Sequence, residues 1–185
     1  MQRFRDTDAV RVPPLPDWWP GDERPLVYVT FGSVAAQVPP AVAVYRKALE
    51  AVADVEARVL LTVGVGAEVE LGQVPPNVRV ERWVPQADVL PHASIVVGHG
   101  GAGTTLGALA AGVPLVIVPL FADQDWNAVQ TARAGAGVVA SLDGIRGALD
   151  TVTADGSYTN AARAIAGEMR RLPPVDAYVE SVERR

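Results

Sequence analysis

The sequence predicts an α/β protein built on a doubly wound parallel sheet. Three observations predict it: apolar runs of strand length recur along the chain, segments with helical spacing separate them, and each run stops at a glycine, a proline or a short polar motif. Strands that are apolar on both sides are those covered on both faces, which happens when crossover helices flank a parallel sheet. Strict polar–apolar alternation would instead mark a sheet with one wet face.

The elements follow in order. Residues 1–25 are polar and proline-rich, with Pro13-Pro14-Leu15-Pro16 and Asp17-Trp18-Trp19-Pro20, and read as an extended lead-in in which the two tryptophans pack onto the domain. Residues 26–172 form the globular part and 173–185 a C-terminal helix and tail. Leu26 to Phe31 is the first strand, ended by Gly32-Ser33, and Pro40 to Ala53 has helical spacing. Arg58 to Val63 and Val78 to Trp83 are the next strands, followed by a short helix from Ala87 to His92. Ser94 to Val97 and Leu115 to Val118 are strands four and five, with a small-residue helix, Ala102 to Ala111, between them. Asp125 to Ala134 is a helix and Gly137 to Ala140 a short strand; two or three helices complete the chain. This alternation is Rossmann-like, and ligands of such sheets sit beyond the carboxyl ends of the strands.

Composition narrows the function. At 185 residues and 49% hydrophobic content the chain can bury a core, and one domain is the default. A net charge of −5 and a pI near 5.0 argue against a nucleic-acid surface, which needs a basic face. The absence of cysteine removes disulfides, thiolate catalysis and zinc–thiolate sites. No apolar run reaches the ~20 residues of a membrane span, and residues 1–6 lack the apolar core of a signal peptide. The plain reading is a cytoplasmic protein without a membrane span.

The chemistry concentrates between Trp83 and Gln124. Gly98-His99-Gly100-Gly101-Ala102-Gly103-Thr104-Thr105 links an apolar strand to a helix. The first turn of a helix leaves up to four N–H groups unbonded and carries about half a positive charge, so a diphosphate placed there needs no metal. His99 is flanked by glycines at this helix start, where its imidazole can donate to a phosphate oxygen; an isolated histidine after a buried strand would more often be a core residue. Gly100, Gly101 and Gly103 allow a tight turn or close backbone approach to a ligand. Thr104 and Thr105 either cap the helix or offer a hydroxyl to phosphate. Trp83 is either a core aromatic at a strand end or a flat apolar platform for a base. Ser33 is a turn serine or a hydroxyl for the distal phosphate. Asp123 and Gln124 suit the start of a helix through its dipole.

Taken together, Trp83-x-Pro85-Gln86, Leu90-x-His92, His99-Gly100-Gly101-x-Gly103-Thr104, Gly112-Val113-Pro114, Pro119 and Asp123-Gln124 resemble the donor signature of nucleotide-sugar-dependent glycosyltransferases of the GT-B fold, above all bacterial enzymes that glycosylate macrolides and other natural products. The resemblance covers the chain from about Arg24 and implies one half of a GT-B fold, the C-terminal donor-binding domain, with residues 1–25 as interdomain linker. It implies that Trp83 stacks on the base, with Val84 and Gln86 beside the base and ribose. It places Ser33, His99, Gly100, Gly101, Gly103 and Thr104 on the diphosphate, and Asp123 and Gln124 on the sugar hydroxyls. His92 reads as structural. The implied reaction is an inverting, metal-independent transfer to a hydroxyl of a small acceptor, for antibiotic or other natural-product biosynthesis. No catalytic residue falls in this chain, since the general base and acceptor pocket belong to an N-terminal domain; the chain alone is expected to bind donor without efficient turnover. No cofactor or metal is implied beyond the nucleotide-sugar co-substrate.

One departure from the family pattern bears on the nucleotide. Many members carry a glutamate on both ribose hydroxyls, eight residues beyond the motif histidine, where this chain has Gly107. A TDP-sugar, with no 2′-hydroxyl, is therefore favoured over a UDP-sugar.

Two other classes fit parts of the pattern. Gly98 to Gly103 also satisfies G-x-G-x-x-G, with Asp123 about twenty residues later, as in dinucleotide-binding dehydrogenases. That fingerprint belongs after the first strand of its unit, whereas three strands precede it here, and Trp83 to Gln86 would go unexplained. The chain could also be a donor-binding subunit working in trans with an acceptor-binding partner, for which an exposed apolar face around Trp18, Trp19 and Phe121 would speak.

Overall fold

The computed structural model describes residues 14–32, 41–64 and 70–173. Its six strands form one wholly parallel sheet, β1 (Leu26–Thr30), β2 (Arg58–Thr62), β3 (Val78–Glu81), β4 (Ala93–Gly98), β5 (Leu115–Ile117) and β6 (Gly137–Val139), in the order β3-β2-β1-β4-β5-β6. The order reverses between β1 and β4, which opens the crevice where doubly wound sheets take their ligands.

The strands are apolar throughout because both faces are covered. All five residues of β1 are buried. Val27, Val29 and Phe31 enter one core with α1 (Ala41–Val52) and α5 (Ile145–Ala154), through Tyr45, Leu49 and Val52 on the first helix and Leu149 and Val152 on the second. Leu26 and Tyr28 enter the other, with Ala108 and Leu109 of α3 (Ala102–Ala111), Ala128 of α4 (Gln124–Arg133) and Ala162 of α6 (Ser157–Arg171). Period-2 alternation of side chains thus splits each strand between two cores.

The lead-in packs as expected. Trp18 and Trp19 meet edge to face at 5.8 Å and lie against the second core, with the Arg58 guanidinium 5.9 Å over the Trp19 ring. These two tryptophans are half-buried, so they do not join Phe121 in an exposed apolar face. The described part is not wholly extended, because a turn brings the Asp22 N–H to the Trp19 carbonyl. The expected helix over 175–184 lies outside the described residues, and no described helix is long and apolar enough to cross a membrane.

One strand boundary differs from the sequence expectation. β3 stops at Glu81, paired with Thr62 at the end of β2, and so releases residues 82–85 as a loop. Trp83 therefore stands beyond the sheet rather than in it.

Candidate functional site

Three loops converge at the carboxyl ends of the strands around a cleft of about 410 Å³. The loop after β3 brings Arg82, Trp83 and Val84, the turn after β4 brings His99, Gly101, Gly103 and Thr104, and the loop after β5 brings Phe121. Tyr28, Thr30 and Thr62 also line it, with the Tyr28 hydroxyl 3.2 Å from Thr62 Oγ1. Among the described lining residues there is no carboxylate, and Arg82 is the only arginine or lysine.

The glycine turn is built by short-range constraints. β4 ends at Gly98, whose carbonyl accepts the Val118 N–H. Gly100 then takes φ +86°, where an added Cβ would come within 2.8 Å of Ile117 Cγ2 and 3.0 Å of the Gln124 carbonyl oxygen, so only glycine fits. Its carbonyl accepts from Asn127 Nδ2 at 2.9 Å. Gly101 is the N-cap of α3, and the first helical bond runs from the Thr105 N–H to the Gly101 carbonyl. The N–H groups of Ala102, Gly103 and Thr104 have no carbonyl partner within the helix, and the N-cap residue Gly101 supplies no side-chain cap. Capping by Thr104 or Thr105 is thus corrected: both sit inside the helix rather than at its N-cap, where their hydroxyls lie too far along to close its first turn.

The imidazole of His99 occupies a slot between two glycines. A Cβ on Gly32 would approach its Cε1 to 3.0 Å, and one on Gly101 its Nε2 to 2.6 Å. Burial pushes the imidazole below the ordinary histidine range, with the Asp123 carboxylate pulling the other way. The ring is therefore neutral at pH 7, and its buried Nδ1 has no hydrogen-bond partner among the described residues.

Gln86 opens the short helix α2 (Gln86–Val89), and its Nε2 donates to Thr104 Oγ1 at 3.0 Å. This bond joins the Trp83 loop to α3. A hydroxyl that accepts from an amide keeps its own proton for another acceptor, so Thr104 can still donate into the cleft. Trp83 is 61% exposed, a large apolar surface held open beside that bond.

The structure therefore brings Trp83, Val84, Gln86, His99, Gly101, Gly103 and Thr104 to one cleft. Gly100, Asp123 and Gln124 are not in its wall, and Ser33 lies outside the described residues. Gln124 is 3% exposed and its Oε1 accepts the N–H groups of Leu120 and Phe121 at 2.7 and 2.9 Å, so its carbonyl oxygen shapes the loop. Asp123 is exposed and accepts a 3.2 Å bond from Asn127. Sequence reasoning passed over Asn127, Arg82 and the cleft-facing role of Phe121. Only Asn127 left a signal, its position four residues after Asp123 on a predicted helix, a spacing at which side chains meet.

Residues 46–183 match the family described as "Erythromycin biosynthesis protein CIII-like, C-terminal domain". The chain belongs to this family. The chain is 43% identical over 155 residues to the elloramycin glycosyltransferase of Streptomyces olivaceus, covering 83% of this chain and 40% of the relative. Among solved structures it is similar to the glycosyltransferase SnogD from Streptomyces nogalater, with TM-score 0.83, 32% identity, and 98% of this chain matched to 50% of that one. It is also similar to the glycosyltransferase VinC in complex with dTDP, with TM-score 0.77, 33% identity, and 92% of this chain matched to 44% of that one. The chain thus spans about half the length of these relatives, each of which is a glycosyltransferase.

Proposed function

We propose that this chain is the donor-binding domain of an inverting, metal-independent glycosyltransferase that moves a sugar from a thymidine diphosphate donor to a hydroxyl of a small natural-product acceptor. The observation that carries the reading is the start of α3: three N–H groups without helical partners, set in a cleft with the His99 imidazole and the Thr104 hydroxyl. A diphosphate fills that need, since helix N-termini bind anions through their N–H groups and dipole. The complex of the similar glycosyltransferase VinC with dTDP supports the same donor class.

The parts take distinct tasks. Trp83 offers its indole face to the base, with Val84 and Gln86 beside the base and ribose. The N–H groups of α3, Thr104 and the neutral His99 donate to the diphosphate, where negative charge grows as the sugar leaves. The acceptor hydroxyl gives its proton to a general base and its oxygen attacks the anomeric carbon. The anomeric carbon–phosphate oxygen bond breaks, its electron pair leaves on the diphosphate, and configuration inverts. That base and the acceptor pocket belong to an N-terminal domain, so the chain alone binds donor and turns over poorly. Metal independence fits a cleft whose described wall offers donors for phosphate and no carboxylate for a cation. Asp123 and Ser33 are assigned to the sugar hydroxyls and the distal phosphate, and Gln124 to the sugar end through its loop. Gly107 leaves no carboxylate for a ribose 2′-hydroxyl, which favours the thymidine nucleotide.

The test is calorimetric titration of the chain with thymidine diphosphate, uridine diphosphate and NAD in the presence of EDTA. Diphosphate binding without NAD binding, with thymidine diphosphate the tighter, supports the reading. Equal affinity for the two diphosphates removes the Gly107 inference; binding of NAD alone overturns the function.

A further inference from the structure

We infer that the outer face of α4 joins this chain to a second copy of itself in a reversible, two-fold symmetric dimer, an inference that goes beyond the donor reading and does not rest on it. α4 packs against β6 and α3, and β6 ends the sheet, so this helix stands at the edge of its layer. It turns Gln124, Ala128 and Thr131 inward, where they are buried. Asp125, Trp126, Val129, Ala132 and Arg133 are exposed on the other side. A surface helix normally keeps that side polar, yet here Trp126 is 67% and Val129 41% exposed. Val139, the last residue of β6, pairs in register with Ile117 of the second core and so points to the same side of the sheet, 48% exposed at its edge.

The arrangement along the helix selects the occupant. Trp126 and Arg133 are seven residues apart, close to two full turns, and so share one line along the helix, with Val129 in the next row about midway between them. A second α4 laid antiparallel across a two-fold axis near Val129 brings Val129 against Val129 and each Trp126 against Arg133 of the other copy. A guanidinium stacks on an indole face through cation–π attraction. Among the described residues Arg133 has no ion pair and Trp126 no ring partner, so both are available for it. One patch thus complements itself, the condition for an isologous contact; a different partner would not require the two ends of one helix to match each other.

The size of the face sets the strength. α4 has ten residues, a length of about 15 Å, and two such faces bury less than the ~1,200 Å² at which stable complexes begin. The dimer is therefore weak, with a Kd on the order of 10–100 μM. No residue of α4 lines the cleft, so pairing and donor binding are separable.

The experiment is sedimentation velocity on the full chain from about 5 to about 500 μM, a span that brackets this Kd. The expected result is a mean mass that climbs with concentration from 19.5 kDa toward twice that value. Trp126→Ala and Arg133→Glu should each weaken association by roughly tenfold or more, since each removes both symmetric cation–π pairs. Trp126 is exposed, so Trp126→Ala keeps its Tm and reads pairing rather than folding. The chain has no cysteine, so Val129→Cys places a single thiol at the axis, and mild oxidation should link it to its own copy, because a disulfide needs the two Cβ atoms within ~4.5 Å. Thr153→Cys, exposed on α5 across the sheet, serves as the control and should stay unlinked. A chain that remains monomeric over the whole range, a dimer unchanged by Trp126→Ala, or Val129→Cys linking no faster than Thr153→Cys overturns the inference.

Discussion

Gly103→Ala separates folding from ligand binding at the start of α3. Gly103 lies in the first turn of the helix, and a Cβ built there meets nothing within 4 Å. Its φ is not positive, so alanine adopts the same backbone without strain. Replacing glycine with alanine in a helix stabilises by up to about 1 kcal/mol, which in a domain of this size raises Tm by ~2–4 °C. Binding should move the opposite way. If the diphosphate sits against the N–H groups of residues 102–104, the new methyl occupies its space and one charge-assisted hydrogen bond is lost, worth about 1.5–3 kcal/mol. That is roughly a 10- to 150-fold rise in the Kd for thymidine diphosphate. The assay is calorimetric titration beside thermal unfolding of the same samples. A variant that unfolds higher yet binds as well as the original would refute the placement of the diphosphate, because only a ligand can fill the open space at this position.

Other predictions follow from the same geometry. Trp83 is exposed, so Trp83→Ala should leave Tm nearly unchanged while weakening thymidine diphosphate by ~1–3 kcal/mol of lost stacking; titration and thermal unfolding read the two effects. His99 has its pKa lowered in the folded chain, so the unfolded chain binds more protons between that value and the ordinary value of about 6.5. Stability from this group is complete above about pH 6.5 and is lost as pH falls through the window below it. His99→Gln should remove that part of the acid limb, seen as a smaller fall in Tm between pH 7 and pH 5 than in the original chain. Gly107→Glu places a carboxylate one turn beyond Thr104, and its Cβ meets only the tip of Leu90 at 3.0 Å, a flexible contact. The substitution should raise uridine diphosphate affinity relative to thymidine diphosphate, and an unchanged ratio by calorimetry would count against the assignment.

Much of the fold was legible because local and global signals agree. Leu26 to Thr30 reads as a buried strand since each residue is apolar or β-branched, and each is buried. The small-residue helix runs over residues 102–111 as its flanking glycines indicate. The end of β3 was not legible: Val80 to Trp83 stays suitable for a strand, but the register with β2 ends at the Thr62–Glu81 pair, the Gly64 N–H reaching on to the Arg82 carbonyl, and pairing is a property of two strands. At the site, the spaced motifs pointed to Trp83, His99 and Thr104, which lie in the loop after β3, the turn after β4 and the first turn of α3 and line one cleft. The role of Gln124 was hidden by a bond to backbone N–H groups of its own loop, which no side-chain pattern reveals. Phe121 likewise reads only as an apolar residue until the φ of Ala122 and the Gln124 bonds turn it into the cleft.

The most direct test of the central claim is the amide spectrum of the isotope-labelled chain titrated with thymidine diphosphate in EDTA. Diphosphate bound without metal at the start of α3 predicts the largest shifts at the N–H groups of Ala102, Gly103 and Thr104, with the Trp83 indole N–H moving at the same saturation. Shifts gathered elsewhere, with these three amides unmoved at saturation, would contradict the account.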